Sequence, residues 1–214
     1  MERRIVRRLL LGVGLATAAV AAADERLDVP KPYDVGDKLA YEWTLKGKTQ
    51  ELEQEWTAVT DREFRGTQTT GGKSFDLVID RKSGLVKTSM CLNNGLRCTF
   101  SPGLAQVMYP VEKGRTWPVS HKSKSGEFTT TASGERRVLK NETITVPAGT
   151  FDTFKITFGD KITSKTIQGV AYKGEEHGTD WIVVIKGKAC IAKSEYINSF
   201  GDKASLVLTS ATLK

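Results

Sequence analysis

From Leu39 onward, large apolar side chains fall on alternate residues. Leu39, Tyr41, Trp43 and Leu45 alternate with Ala40, Glu42 and Thr44, and this period of two puts the large side chains on one face of a strand. Leu52, Trp56 and Ala58 continue such a face, interrupted by Gln54, and Phe154, Ile156 and Phe158 alternate with Lys155 and Thr157. Threonine-rich stretches such as Phe128-Thr129-Thr130-Thr131 suit a pleated surface. Turn signals recur at strand-length intervals: Lys46-Gly47-Lys48, Gly71-Gly72, Ser83-Gly84, Asn94-Gly95, Ser133-Gly134, Pro147-Ala148-Gly149, Lys173-Gly174, Lys186-Gly187 and Gly201-Asp202. The pattern predicts an all-β chain, an antiparallel meander of about a dozen strands. Twist accumulates as strands are added, so such a sheet must curl, and an open or incomplete barrel is expected. At most one short helix fits, over Leu104 to Tyr109, between Pro102-Gly103 and Pro110. Trp181 to Ile185 is apolar on both faces and too short to cross a bilayer. It reads as a strand covered on both sides, or as the wall of an apolar pocket.

The N-terminus breaks the alternation. Arg3, Arg4, Arg7 and Arg8 precede an apolar run from Leu9 to Val20, and Ala21-Ala22-Ala23 stands before the charged Asp24. A basic segment, a short apolar core and small residues describe a cleaved export signal. The expected organisation is therefore a signal over 1–23, a flexible lead-in over 24–32 and a single β domain over 33–214. The expected location is periplasmic or secreted, with no stable membrane span after cleavage. Cleavage removes those four arginines and Glu2, so the net charge falls from +7 to +4. The basic balance then no longer argues for nucleic acid, since Arg136-Arg137 with Lys140 is the nearest approach to a basic cluster and reads as a solvated strand face. Hydrophobic residues are 39% of the chain and aromatics 8%, enough for a packed core and too many for disorder.

Chemistry-bearing motifs are sparse. Two histidines exist, His121 and His177, so a three-histidine metal site is excluded within one chain. His177 lies near Glu175, Glu176 and Asp180, but Gly174 and Gly178 bracket the patch and suggest an exposed hairpin tip. No nucleophile elbow, phosphate loop or dinucleotide fingerprint occurs. Catalytic residues, metal and cofactor are all expected to be absent. Cys91 and Cys98 flank Leu92 to Arg97 symmetrically. A hairpin there sets them opposite each other, and an exported chain meets an oxidising compartment, so a Cys91–Cys98 disulfide is expected, with Cys190 left single and buried. Trp43, Trp56, Trp117 and Trp181 fall on different expected strands. They either fill the core or present aromatic surface inside a concavity. The candidate ligand-lining set is Tyr41, Trp43, Trp56, Phe154, Phe158 and Trp181, with Leu39 and Ile156 also expected to point inward.

Three segments carry a resemblance: Tyr33-Asp34-Val35-Gly36-Asp37-Lys38-Leu39, Glu142 to Asp152 with its Val146-Pro147-Ala148-Gly149-Thr150-Phe151 hairpin, and Lys193-Ser194-Glu195-Tyr196. As a set they resemble a family of bacterial exported proteins known as a domain of unknown function. The resemblance implies a large antiparallel sheet curved into an incomplete barrel, similar in shape to the periplasmic lipoprotein carriers that hold acyl chains in their concavity. It implies no catalytic residues. The aromatic-Pro-x-Gly turn frequent in the family is replaced here by Lys186-Gly187-Lys188. The function expected is a non-enzymatic envelope protein that binds an apolar or amphiphilic ligand, such as a lipid. The alternatives are a structural or interaction protein with a filled core and, more distantly, an envelope hydrolase, which would need a polar pocket with converging titratable groups.

Overall fold

The computed structural model describes residues 26–214; the export signal expected over 1–23 lies outside the described residues. Fourteen strands follow in order: β1 (Arg26–Leu27), β2 (Lys38–Leu45), β3 (Lys48–Val59), β4 (Glu63–Thr70), β5 (Lys73–Asp80), β6 (Val86–Cys91), β7 (Leu96–Leu104), β8 (Val111–Glu112), β9 (Thr116–Ser125), β10 (Phe128–Val146), β11 (Gly149–Thr166), β12 (Ala171–Ile185), β13 (Lys188–Ile197) and β14 (Lys203–Thr212). No helix occurs among the described residues. The helix expected over Leu104 to Tyr109 is corrected, because Leu104 ends β7 and the residues after it form bends.

Strands β2 to β7 and β9 to β14 form one antiparallel ring in chain order, and the ring is closed. The open or incomplete barrel expected from the sequence is corrected by the seam between β14 and β2, which pair in register from Ala204↔Leu45 to Thr212↔Lys38. The alternation of Leu39, Tyr41 and Trp43 on β2 is matched by Ala204, Leu206 and Leu208 on β14, all buried. Two edges with the same inward face satisfy each other's backbone groups, which removes the exposed edge that an open sheet would carry. The outer wall is polar, with Arg137, Lys155, Lys161, Lys165 and Glu175 on the face opposite the core positions.

The two strands outside the ring, β1 and β8, pair with each other. Leu27 and Val111 on them join Trp117, Val138, Phe154, Ile156 and Ile182 in a core cluster that plugs one end of the barrel. The lead-in expected to be flexible over 24–32 is thus held at Arg26–Leu27, and again where Lys31 N donates to Gly187 O at 2.8 Å. Next along the chain, Asp34 to Asp37 makes a turn in which Gly36 takes a φ of +88°. Asp37 N donates to Asp34 O at 3.0 Å, and Asp34 N donates to Asp37 Oδ2 at 2.7 Å. Lys188 Nζ then reaches Asp37 Oδ2 at 2.5 Å and Asp34 Oδ2 at 2.8 Å, while Lys214 N donates to Asp37 Oδ1 at 2.9 Å. One carboxylate therefore ties the start of the barrel, β13 and the last residue together. This is the physical content of the Tyr33–Leu39 segment.

Candidate functional site

Eight strands suffice to make a barrel that its own side chains can fill; twelve make a wider one. The interior holds a cavity of about 660 Å³, inside the range usual for small-molecule sites. Its floor is the plugged end, where Leu104, Val107 and Tyr109 face it. It extends to the turns of the opposite end, where Asn94, Phe128, Ser199, Phe200 and Asp202 border it.

The cavity has two unlike walls. Strands β2 to β6 present Leu39, Tyr41, Leu52, Trp56, Leu77 and Met90. Strands β9 to β13 present His121, Arg136, Asp160, Glu176, Asp180 and Tyr196. The polar wall is built by register. Glu176 lies opposite Asp160, Asp180 opposite Ser194, and Tyr196 opposite Gly178, so these side chains share the inward face. Arg136 and Asp160 form a bidentate pair with both Nη–Oδ distances 2.7 Å, and the guanidinium lies 4.7 Å from the centre of the Phe158 ring. Two glycines make the space. A Cβ on Gly134 would stand 2.2 Å from Asp160 Oδ1, and one on Gly178 would stand 2.8 Å from Phe158 Cζ and 2.4 Å from Tyr196 Cβ. Both glycines sit in mid-strand, as does Gly174. The turns expected at Ser133-Gly134 and Lys173-Gly174 are therefore corrected: β10 and β12 run through them.

Burial sets the charge states on this wall. It pushes the Glu176 carboxyl up, against a hydrogen bond from Asn93 Nδ2 at 2.7 Å. It pushes Asp180 up too, against a hydrogen bond with Ser194. It pushes His121 down, so the imidazole is neutral near pH 7. Several polar atoms on the walls have no hydrogen-bond partner among the described residues: Tyr196 Oη, His121 Nδ1, Arg136 Nε and, on the apolar side, Trp56 Nε1. Buried polar atoms are rarely left unmatched.

The candidate ligand-lining residues divide evenly. Tyr41, Trp56 and Phe158 line the cavity, as does Leu39. Trp43, Phe154 and Trp181 do not line it; the first two point inward but pack in the core, and only Trp181 turns away. Trp43 is spent on the mouth of the barrel, where the Gly95 Cβ position would lie 3.2 Å from its ring. Phe154 and Ile156 are consumed by the plug cluster. Trp181 faces the other way. Its register partners are Lys155 and Lys193, whose ammonium groups each lie 5.1 Å from the ring centre, and its Nε1 donates to Glu142 Oε1 at 2.5 Å. Asp180 and Ile182, its chain neighbours, are the ones that turn in, as the alternation along β12 requires. These contacts, with Lys140 and Lys155 on the same carboxylate, hold Glu142 down to about 2.

The disulfide joins Cys91 and Cys98, with the Cα atoms 5.4 Å apart, and Cys190 is free and buried. The cysteines are not directly opposite, however. Cys91 pairs with Leu96 and Cys98 with Ser89, so the bridge runs diagonally across the hairpin. His177 stands in mid-strand on β12 rather than at a hairpin tip. With Glu175 it faces outward while Glu176 and Asp180 face the cavity, so the four do not converge.

The polar wall coincides with the segment that comparison picks out. Residues 115–198 match the DUF3108-like family model. That stretch runs from β9 to β13 and contains every ionisable residue of the wall, so the chain resembles a family of bacterial exported proteins that forms a domain of unknown function. Among solved structures, the barrel resembles a candidate exported protein of Bacteroides fragilis with a YmcC-like fold, at 16% identity and a TM-score of 0.54, over 86% of this chain and 99% of that one. It also resembles a candidate lipoprotein of Parabacteroides distasonis at 14% identity and a TM-score of 0.52, over 85% and 97% of the two chains. At these identities the likeness is one of fold. No curated protein matches the sequence.

Proposed function

We propose that this protein is an exported, non-enzymatic binding module of the bacterial envelope, whose barrel takes up an apolar or amphiphilic molecule. The cavity of about 660 Å³ carries the reading; a structural protein with a filled core would not hold one. Entry from the unplugged end is supported by the apolar side chains exposed on its turns, Leu96, Phe128, Ile167, Val170, Tyr172 and Phe200. Tyr172 and Phe200 stack there with ring centres 4.7 Å apart. Export rests on the signal-like residues 1–23 and on the named exported proteins that share the fold.

The polar wall supplies the converging titratable groups that a hydrolase would need, but not their wiring. Among the described residues His121 Nδ1 has no partner and Ser194 is engaged by Asp180 rather than by the imidazole, so this wall holds no serine against a histidine base. The test is binding. A solvatochromic alkyl-chain probe is expected to brighten with the protein and to quench or shift Trp56 emission saturably. If no chain-bearing probe binds and extracts of the purified protein hold no amphiphile by mass spectrometry, the reading is wrong.

A further inference from the structure

Resting on that reading of the cavity, the polar wall says what kind of head the ligand carries. Arg136 is already neutralised by Asp160 through two hydrogen bonds. Two carboxyl groups remain, Glu176 and Asp180, on alternate inward positions of β12 with Gly178 between them. Asn93 and Ser194 give them a neutral hydrogen bond each, and among the described residues no salt bridge reaches either, Arg136 acting on both only at longer range. The hydroxyl of Tyr196 enters the same gap from β13, opposite Gly178. Tyr196 is only 7% exposed, and its oxygen has no hydrogen-bond partner among the described residues.

The arrangement offers carboxyl and hydroxyl acceptors, and the guanidinium beside them is already paired with Asp160. An ammonium group donates up to three hydrogen bonds and accepts none. We infer that the barrel binds an amphiphile with a protonated amine head, the amine between Glu176, Asp180 and Tyr196 and the chain against Leu39, Tyr41, Trp56 and Met90. A bound cation would favour the ionised form of both acids, which their desolvation opposes. An anionic head would instead meet the same two acids, and the Arg136 charge is already matched by Asp160, leaving only its Nε as a donor.

The test is a matched twelve-carbon series, dodecylamine, dodecanol and dodecanoate, each titrated below its micellar concentration at pH 7.5 and read by Trp emission and calorimetry. Dodecylamine is expected to bind at least about tenfold more tightly than dodecanoate, which corresponds to ~1.4 kcal/mol. Glu176→Gln with Asp180→Asn should remove that preference while leaving dodecanol unchanged. Tyr196→Phe should weaken the amine a few-fold and the alcohol not at all. The wild-type series decides the matter even if a variant fails to fold. Dodecanoate binding as tightly as the amine, or a preference that survives the double substitution, overturns the inference and leaves the cavity reading standing. Failure of all three compounds to bind overturns both.

Discussion

The barrel contains two buried ion pairs that look alike and behave differently. At the plugged end Lys188 and Asp37 are 2% and 0% exposed, and every oxygen of Asp37 is used: Oδ2 by Lys188 and the Asp34 backbone, Oδ1 by the last residue's backbone. On the cavity wall Arg136 and Asp160 are each 5% exposed and equally well paired, but they sit among groups with unspent capacity. The first pair is saturated and belongs to the fold. The second is the centre of an unfinished network and belongs to the site. Burial of a charge alone therefore says little about role. What separates the two is whether the surrounding donors and acceptors are used up.

The largest expected effect comes from breaking the saturated pair. Lys188→Met leaves the Asp37 carboxylate buried with backbone donors alone, and removing one partner of a buried pair typically costs about 3–5 kcal/mol. Denaturant unfolding should show the free energy of unfolding falling by that amount, through a lower midpoint with little change in slope. Because Asp37 ties β2, β13 and the C-terminus, the loss should spread across the β14–β2 seam, where amide exchange of Leu206 and Leu208 should accelerate. A midpoint within error of wild type would mean that the knot carries no net stability.

Acid titration should separate the two regions next. Asp37 is buried, which raises its pKa, but hydrogen bonds from Lys188, the Asp34 backbone and the Lys214 backbone outweigh that and hold it below the ordinary range. A depressed carboxyl contributes stability above its unfolded pKa of about 4, and the contribution is lost as pH falls through the folded value. Glu176 and Asp180 are displaced the other way. Their folded forms hold protons that the unfolded chain has released, so they lower stability as pH rises above about 4. Arg136, Asp160, His121, Tyr196, Asn93 and Ser194 are the groups that face them. Glu176→Gln with Asp180→Asn should therefore be more stable than wild type near pH 7, by roughly 1 kcal/mol, and indistinguishable from it near pH 3. A double variant less stable than wild type at neutral pH would show that the acids are paired in the unliganded protein.

Much of the fold was legible because it depends on period and punctuation. The alternation on β2 and β11 and the turns at Lys46-Gly47, Gly71-Gly72, Asn94-Gly95 and Lys186-Gly187 are local signals, and each falls where expected. Closure was not legible, since nothing local tells Leu39 that Ala211 will lie beside it. The site was half legible for a related reason. Period two sorts residues onto faces, but within a run apolar on both faces it does not say which face is the inner one, and Trp181 falls on the outer face between Asp180 and Ile182. Gly134, Gly174 and Gly178 misled because a glycine marks a turn and a close approach equally well. The polar wall left a faint trace: Arg136, Asp160, Glu176, Asp180 and Tyr196 each occupy an inward position where the alternation calls for an apolar residue. A charge at such a position in a strand otherwise well patterned is the signal that could have found it.

The smallest effect separates two tyrosines. Tyr33 stacks on Trp56 with ring centres 4.5 Å apart, and its hydroxyl donates to Ala189 O at 2.6 Å. Tyr33→Phe strands that carbonyl at the cavity floor and should cost about 1 kcal/mol. Tyr196 is more deeply buried, but its hydroxyl has no partner among the described residues. Tyr196→Phe removes no hydrogen bond and relieves a buried polar atom, so unfolding of the unliganded protein should change by less than about 0.5 kcal/mol, or shift slightly toward greater stability. A loss as large as that of Tyr33→Phe would mean that the hydroxyl is satisfied in solution by ordered water or a side-chain rotation. The two walls would then be equally complete without a ligand.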